Sequence, residues 1–220
     1  MAITLIDAAP DAAIADWIAE RLLIALGRAA GGPERGGIAI TVPGGTTPFP
    51  ILADLAARPL PWERITVWPG DDRIVAEDHP ASNVGRIRAL LQPVGAQIAP
   101  LAQGAVPPRF ALAWLGMGND GHVASLFPNT DPRADAPAHV VRIVPDPLPP
   151  EAPFERLSLT IPTLIASDAL LFVIRGADKR ALFEAAASGA HGVAAHDLPV
   201  GRLLAAASHA VPPVPVTCFC

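Results

Sequence analysis

Short apolar runs recur along this chain, and most give way to a loop rich in glycine or aspartate before a helix-period segment begins. The runs are Ile3 to Ile6, Gly37 to Val42 (GIAITV), Ile65 to Trp68 (ITVW), Phe110 to Leu115 (FALAWL) and Ala169 to Ile174 (ALLFVI). GIAITV and ALLFVI are apolar at successive rather than alternate positions, the pattern of strands buried on both faces of a parallel sheet. Between the runs lie helices. Pro10 opens one whose apolar residues Ile14, Trp17, Ile18, Leu22, Ala25 and Leu26 recur at three and four residues, and Gly31, Gly32 and Pro33 close it. Others are expected from about Pro48 to Arg58, from a Ser82-Asn83 cap to Leu91, and from about Asp178 to Ser188. Val140 to Val144 and the tail Val211 to Cys220 read as extended, and Pro145 to Pro153, with five prolines, as a loop. Strands alternating with helices predict an α/β fold: an open, mostly parallel sheet with helices on both faces. Ligands of such sheets bind outside the carboxyl ends of the strands. The chemically suggestive clusters of this chain directly follow strands.

Composition limits the function classes. The chain has 220 residues, 51% hydrophobic and 17% charged, which suits one sizeable core, residues 1–220 forming a single domain. The 26 prolines therefore read as loop punctuation. A net charge of −5 argues against a nucleic-acid partner, and any anion site must be built locally from Arg, Lys and backbone N–H groups. Cys218 and Cys220, the two cysteines, form no disulfide framework and no metal-binding spacing, which fits a reducing cytoplasm. MAITLIDAAPD lacks a secretory pattern, and no apolar run has the length of a membrane span. A soluble cytoplasmic protein is expected, a monomer or small homo-oligomer.

Four clusters carry chemistry. Pro43-Gly44-Gly45-Thr46-Thr47-Pro48 lies between strand and helix. Its glycines let backbone N–H groups approach an anion, its threonines add hydroxyl donors, and the helix N-terminus adds favourable partial charge. A tight turn with a Thr cap explains it equally well; it is neither a Walker A loop nor GxGxxG, so nucleotide binding is not supported. Gly70-Asp71-Asp72-Arg73 follows ITVW as an acidic loop. Its carboxylates could bind a polar ligand, and the Arg73 fork could clamp an anion. Gly116-Met117-Gly118-Asn119-Asp120-Gly121-His122 sets three glycines around an Asp-Gly-His. A histidine can serve as a general base at physiological pH, and Asp120 is near enough in sequence to orient it. Finally, Lys179 is the sole lysine against fifteen arginines, at the first turn of a helix after a strand, where a compact ammonium and helix amides could share a phosphate.

In this order the clusters resemble the 6-phosphogluconolactonase family. The matching stretches are GGTTP (Gly44 to Pro48), DDR (Asp71 to Arg73) with Ser82-Asn83, GMGNDGHVASLFP (Gly116 to Pro128) and GADK (Gly176 to Lys179); Leu198-Pro199-Val200 is similar too. Two positions depart from the family pattern: Asp72 stands where Glu is usual and Val123 where Thr is common. The resemblance implies the fold of sugar-phosphate isomerases and deaminases, 6-phospho-D-glucono-1,5-lactone as substrate, and hydrolysis without a metal or other cofactor. It implies His122 as the base oriented by Asp120, with Gly44, Gly45, Thr46, Thr47, Asp71, Asp72, Arg73, Gly118 and Lys179 around the substrate. Arg73 would bind phosphate or stabilise charge, and Asp71 and Asp72 would bind sugar hydroxyls or support Arg73.

Two rivals differ by residue. Glucosamine-6-phosphate deaminases carry Asp-Glu-Tyr where this chain has Asp71-Asp72-Arg73, and this chain has no tyrosine. They also place a carboxylate after the Asp-Gly-His run, where Ser125-Leu126-Phe127 offers none. A sugar-phosphate-sensing regulator would need a DNA-binding domain, and the stretch before Gly44 is too short for one beside its strands and helix.

Overall fold

A computed structural model describes residues 3–30, 36–146, 153–188 and 197–220. The main sheet has seven strands: β1 (Ile3–Ile6), β2 (Ile38–Val42), β3 (Ile65–Pro69), β5 (Gln97–Ile98), β6 (Leu112–Leu115), β9 (Leu170–Val173) and β10 (Val216–Phe219). Their order is β1-β10-β9-β6-β2-β3-β5, and every pair is parallel. The expected sheet is therefore present: β1, β2, β3, β6 and β9 begin and end within two residues of the runs read from the sequence, while β5 has no counterpart there. The alternation inside each apolar run explains why. In β6, Leu112 and Trp114 enter one core, and Ala113 and Leu115 the other; in β9, Leu171 and Val173 oppose Leu170 and Phe172 in the same way. Helices α1 (Asp11–Ala30), α2 (Pro48–Ala56) and α3 (Asn83–Leu91) cover the first face through Ile14, Leu22, Ile51 and Ile87. The second face is covered by α5 (Ala177–Ala187) and α6 (Pro199–His209) through Phe183 and Leu203. Full burial of each such side chain contributes roughly 1.5–3 kcal/mol. Among the described residues no helix is long and apolar enough to cross a membrane.

The second face also carries a small sheet of which the sequence reading holds only the extended segment Val140 to Val144. Strands β4 (Asp71–Arg73), β7 (Val140–Ile143) and β8 (Arg156–Leu159) form a small antiparallel sheet, with Val140, Ile143 and Leu159 in its core. The expected acidic loop Gly70 to Asp72 is thus corrected: Asp71 and Asp72 belong to a strand that pairs with β8 in the register Asp71↔Ser158, Asp72↔Leu157 and Arg73↔Arg156. A short helix, α4 (Ile161–Ile165), follows β8. Of the tail Val211 to Cys220, Val216–Phe219 form β10; α6, at Pro199–His209, has no counterpart in the sequence reading. Of the Pro145 to Pro153 loop, residues 147–152 lie outside the described residues, as do Gly31, Gly32 and Pro33 of the first helix stop.

Asp72 anchors this arrangement. Its carboxylate accepts backbone N–H bonds from Arg73 (2.8 Å), Asn83 (2.6 Å) and Val84 (2.9 Å), and the Ser82 hydroxyl (3.4 Å). Ser82 caps α3 by accepting from Gly85 N at 3.1 Å. The anion therefore sits at the helix N-terminus, where both the orphan donors and the macrodipole favour it. Burial pushes the Asp72 pKa up, against the pull of its backbone donors. Asp72→Asn is expected to destabilise the protein by about 1–3 kcal/mol in denaturant melts at neutral pH, because an amide N–H₂ cannot accept from Val84 N or Ser82. A change below a few tenths of a kcal/mol would show that the carboxylate is not what holds α3.

Candidate active site

The parallel strands bring the sequence clusters to one end. The loop after β2 supplies Gly44 to Thr47, β4 beyond β3 supplies Asp71 and Arg73, the loop after β6 supplies Gly118 and His122, the turn after β9 supplies Arg175, and the first turn of α5 supplies Lys179. They line a cavity of about 290 Å³ floored by Trp114 and Val173. Of the residues singled out from the sequence, Gly44, Gly45, Thr46, Thr47, Asp71, Arg73, Gly118, His122 and Lys179 line it. Asp120 stands behind His122, and Asp72 turns to α3 instead.

His122 is held tightly. Its Nδ1 lies 2.6 Å from Asp120 Oδ1, and its backbone N–H donates to the same oxygen at 3.2 Å. Gly118 N donates to His122 O at 2.9 Å, which folds the loop back on itself. With Nδ1–H donating to Asp120, Nε2 is the nitrogen with the lone pair, the tautomer a base needs. The hydrogen bond to His122 draws the Asp120 carboxyl below its ordinary 3.8. A depressed carboxylate pKa stabilises the pairing above its unfolded value and loses it as pH falls through the lower folded value. Carboxyl ¹³C NMR is thus expected to find Asp120 ionised at pH 3.8, with its midpoint below that; a midpoint at or above 3.8 would mean the bond to His122 is absent in solution.

The loop after β2 is shaped for an anion. Thr47 occupies the N-cap of α2 but makes no side-chain capping bond, so the helix does not use its hydroxyl, and Pro48 begins the helix without an N–H to satisfy. Gly45 has φ +89°, a conformation that favours glycine. Gly44 is packed so closely that a Cβ there would lie 2.2 Å from Asn83 Oδ1.

Asn83 and Arg156 are site residues that the sequence reading missed in these roles. Asn83, read as a helix cap, is buried; its amide donates to Asp71 O at 2.8 Å, and its Oδ1 accepts from Arg73 at 3.0 Å. Asp71 also accepts from the Ser125 hydroxyl. Arg156 is only 5% exposed, yet it lines the cavity directly across the sheet from Arg73. Burial lowers its pKa, the like charge of Arg73 adds to that, and Asp71 opposes it. Arg156 and Ser158 share a buried face of β8, although the Arg-Leu-Ser-Leu alternation by itself assigns both to solvent. Outside the cavity wall, Arg86 braces the glycine loop, donating to Gly45 O at 3.2 Å and stacking 3.6 Å from the Phe49 ring centroid. Together Arg73, Arg156, Arg175 and Lys179 concentrate positive charge in an acidic protein, beside His122. Among the described residues, no group of three His, Cys, Asp or Glu side chains is arranged to hold a metal ion.

Known proteins share this arrangement's sequence and fold. The family described as glucosamine-6-phosphate isomerases/6-phosphogluconolactonase matches residues 9–106 and 91–211. A 6-phosphogluconolactonase from Neisseria meningitidis serogroup A is 31% identical over 199 residues, covering 80% of this chain and 83% of its own. One from Mesorhizobium japonicum is 34% identical over 195 residues, covering 79% of each. The solved structure of a 6-phosphogluconolactonase from Shewanella baltica superposes with a TM-score of 0.77 at 22% identity, over 99% of this chain and 97% of that one, and shows the same fold. With the family match spanning nearly the whole chain, the protein belongs to the glucosamine-6-phosphate isomerase/6-phosphogluconolactonase family.

Proposed function

We infer that the protein is a lactone hydrolase that opens 6-phospho-D-glucono-1,5-lactone to 6-phospho-D-gluconate, the reaction of the pentose phosphate pathway. The observation that carries this reading is the His122–Asp120 pair opening into a cavity lined by cations. The relatives above bear the name of this activity.

Hydrolysis needs an activated water, stabilisation of a tetrahedral oxyanion and protonation of the departing ring oxygen. His122 Nε2 takes one proton from water as the oxygen adds to the lactone carbonyl. Asp120 stabilises the imidazolium that forms. Collapse of the oxyanion breaks the bond to the ring oxygen, which receives the proton back from His122. The products are a carboxylic acid, which ionises at neutral pH, and a free hydroxyl. Gly44, Gly45, Thr46, Thr47 and Lys179 hold the phosphate. Arg73, with Arg156 across the sheet, binds phosphate or meets the developing charge, and Asp71 faces sugar hydroxyls. No metal or cofactor enters this scheme. The chain acts as one cytoplasmic domain, a monomer or small homo-oligomer.

The family's other chemistry provides the test. Lactone generated in situ is expected to disappear faster with the protein than without it, with chelator present, while glucosamine 6-phosphate releases no ammonia. Ammonia release without lactone acceleration would overturn the reading in favour of a deaminase.

A further inference from the structure

His122 makes a second side-chain contact that the hydrolytic scheme does not use. The Phe127 ring centroid lies 4.7 Å from that of His122, with the planes inclined by 42°. The Arg156 guanidinium carbon lies 5.2 Å from the same Phe127 centroid. One ring therefore adjoins both the base and a buried arginine of the cavity. Phe127 is itself immobilised. It is 8% exposed and belongs to the same core as Val140, Ile143 and Leu159 of the small sheet. Its backbone is tied to Thr130 in both directions: Phe127 N donates to Thr130 Oγ1 at 3.1 Å, and Phe127 O accepts from Thr130 N at 3.0 Å and Oγ1 at 2.8 Å. Pro128 opens the 3-10 turn that carries these bonds.

The contacts have chemical consequences. Asp120 fixes one nitrogen of the imidazole, and the remaining degree of freedom is rotation about that bond. A rigid aromatic wall restricts this rotation and holds Nε2 on its path to water. It also offers π density to the imidazolium that forms as the proton is taken, and to the guanidinium of Arg156. Aliphatic side chains fill similar space without that density or flat surface.

We propose that Phe127 is a positioning residue that fixes the His122 imidazole for proton transfer and keeps the Arg156 guanidinium at the cavity wall. The inference rests on the lactonase reading. Its test compares wild type, Phe127→Leu, Phe127→Tyr, Asp120→Asn and the Asp120→Asn/Phe127→Leu double variant in lactone hydrolysis, with melting curves for each. Phe127→Leu is expected to lower kcat about 10-fold or more, because small misplacements of reacting groups carry penalties of that order. KM is expected to rise severalfold as Arg156 loses its wall. Phe127→Tyr, which keeps the ring, should recover most of both. The double variant should lose less than the product of the single losses, since both residues act through His122. A merely structural role would leave KM unchanged, lower kcat only in step with the folded fraction, and combine multiplicatively with Asp120→Asn; any of these results overturns the proposal. Absence of acceleration by wild type is a different failure, that of the lactonase reading itself.

Discussion

Gly118→Ala is expected to reduce kcat for lactone hydrolysis by about 10²-fold or more while the protein remains folded. A Cβ on residue 118 would stand 2.2 Å from both Cε1 and Nδ1 of His122 and 2.6 Å from Asp120 Oδ1. Such separations are far inside van der Waals contact. The flexible ends must yield, because Gly118 N is bound to His122 O and cannot retreat without opening the loop. The imidazole therefore shifts by about an ångström, and the 2.6 Å bond to Asp120 is lost. Gly118 lies in a half-exposed loop at the strand ends, outside both cores, so far-UV circular dichroism and the melting temperature should change little. Near wild-type kcat in the folded variant would mean that the His122 position seen here is not the working one.

This glycine also marks where sequence reasoning succeeded. The β6 strand is legible because both of its faces are buried, and the Gly-x-Gly-x-Asp-Gly-His run beyond it is legible because its Asp and His are two residues apart and only glycine at 118 leaves room for the imidazole. β2 and β9 are legible for the same reason as β6. Asp71–Arg73 and Arg156–Leu159 are not, because their inward residues include Asp71, Asp72, Arg156 and Ser158, which a hydrophobic pattern assigns to solvent. Asp72 is buried because it satisfies the N-terminus of α3, and Asp71 and Ser158 because Ser125 bonds both, tertiary facts with no local period. The same logic explains Asp72: two adjacent carboxylates look alike in sequence, but alternation along β4 sends one to the cavity and the other to Asn83 and Val84. Arg156 reaches the site only through its pairing with β4, and no spacing within the chain announces it.

The other large effect concerns the base. His122→Ala removes the one histidine that lines the cavity among the described residues, and with it the side-chain bond to Asp120. General acid–base catalysis typically supplies about 10²–10⁴-fold, and a loss of that size is expected in kcat. KM should change much less, because the proposed phosphosugar contacts of the glycine loop, Arg73, Arg156 and Lys179 are untouched by the substitution. Spontaneous opening of the lactone sets the floor, so the quantity to measure is the rate above that floor. Lactone generated in situ, in the presence of a chelator, should be consumed far faster with wild-type protein than without it, and with His122→Ala at close to the spontaneous rate. A folded His122→Ala protein that retained wild-type acceleration would contradict the assignment of His122 as the base.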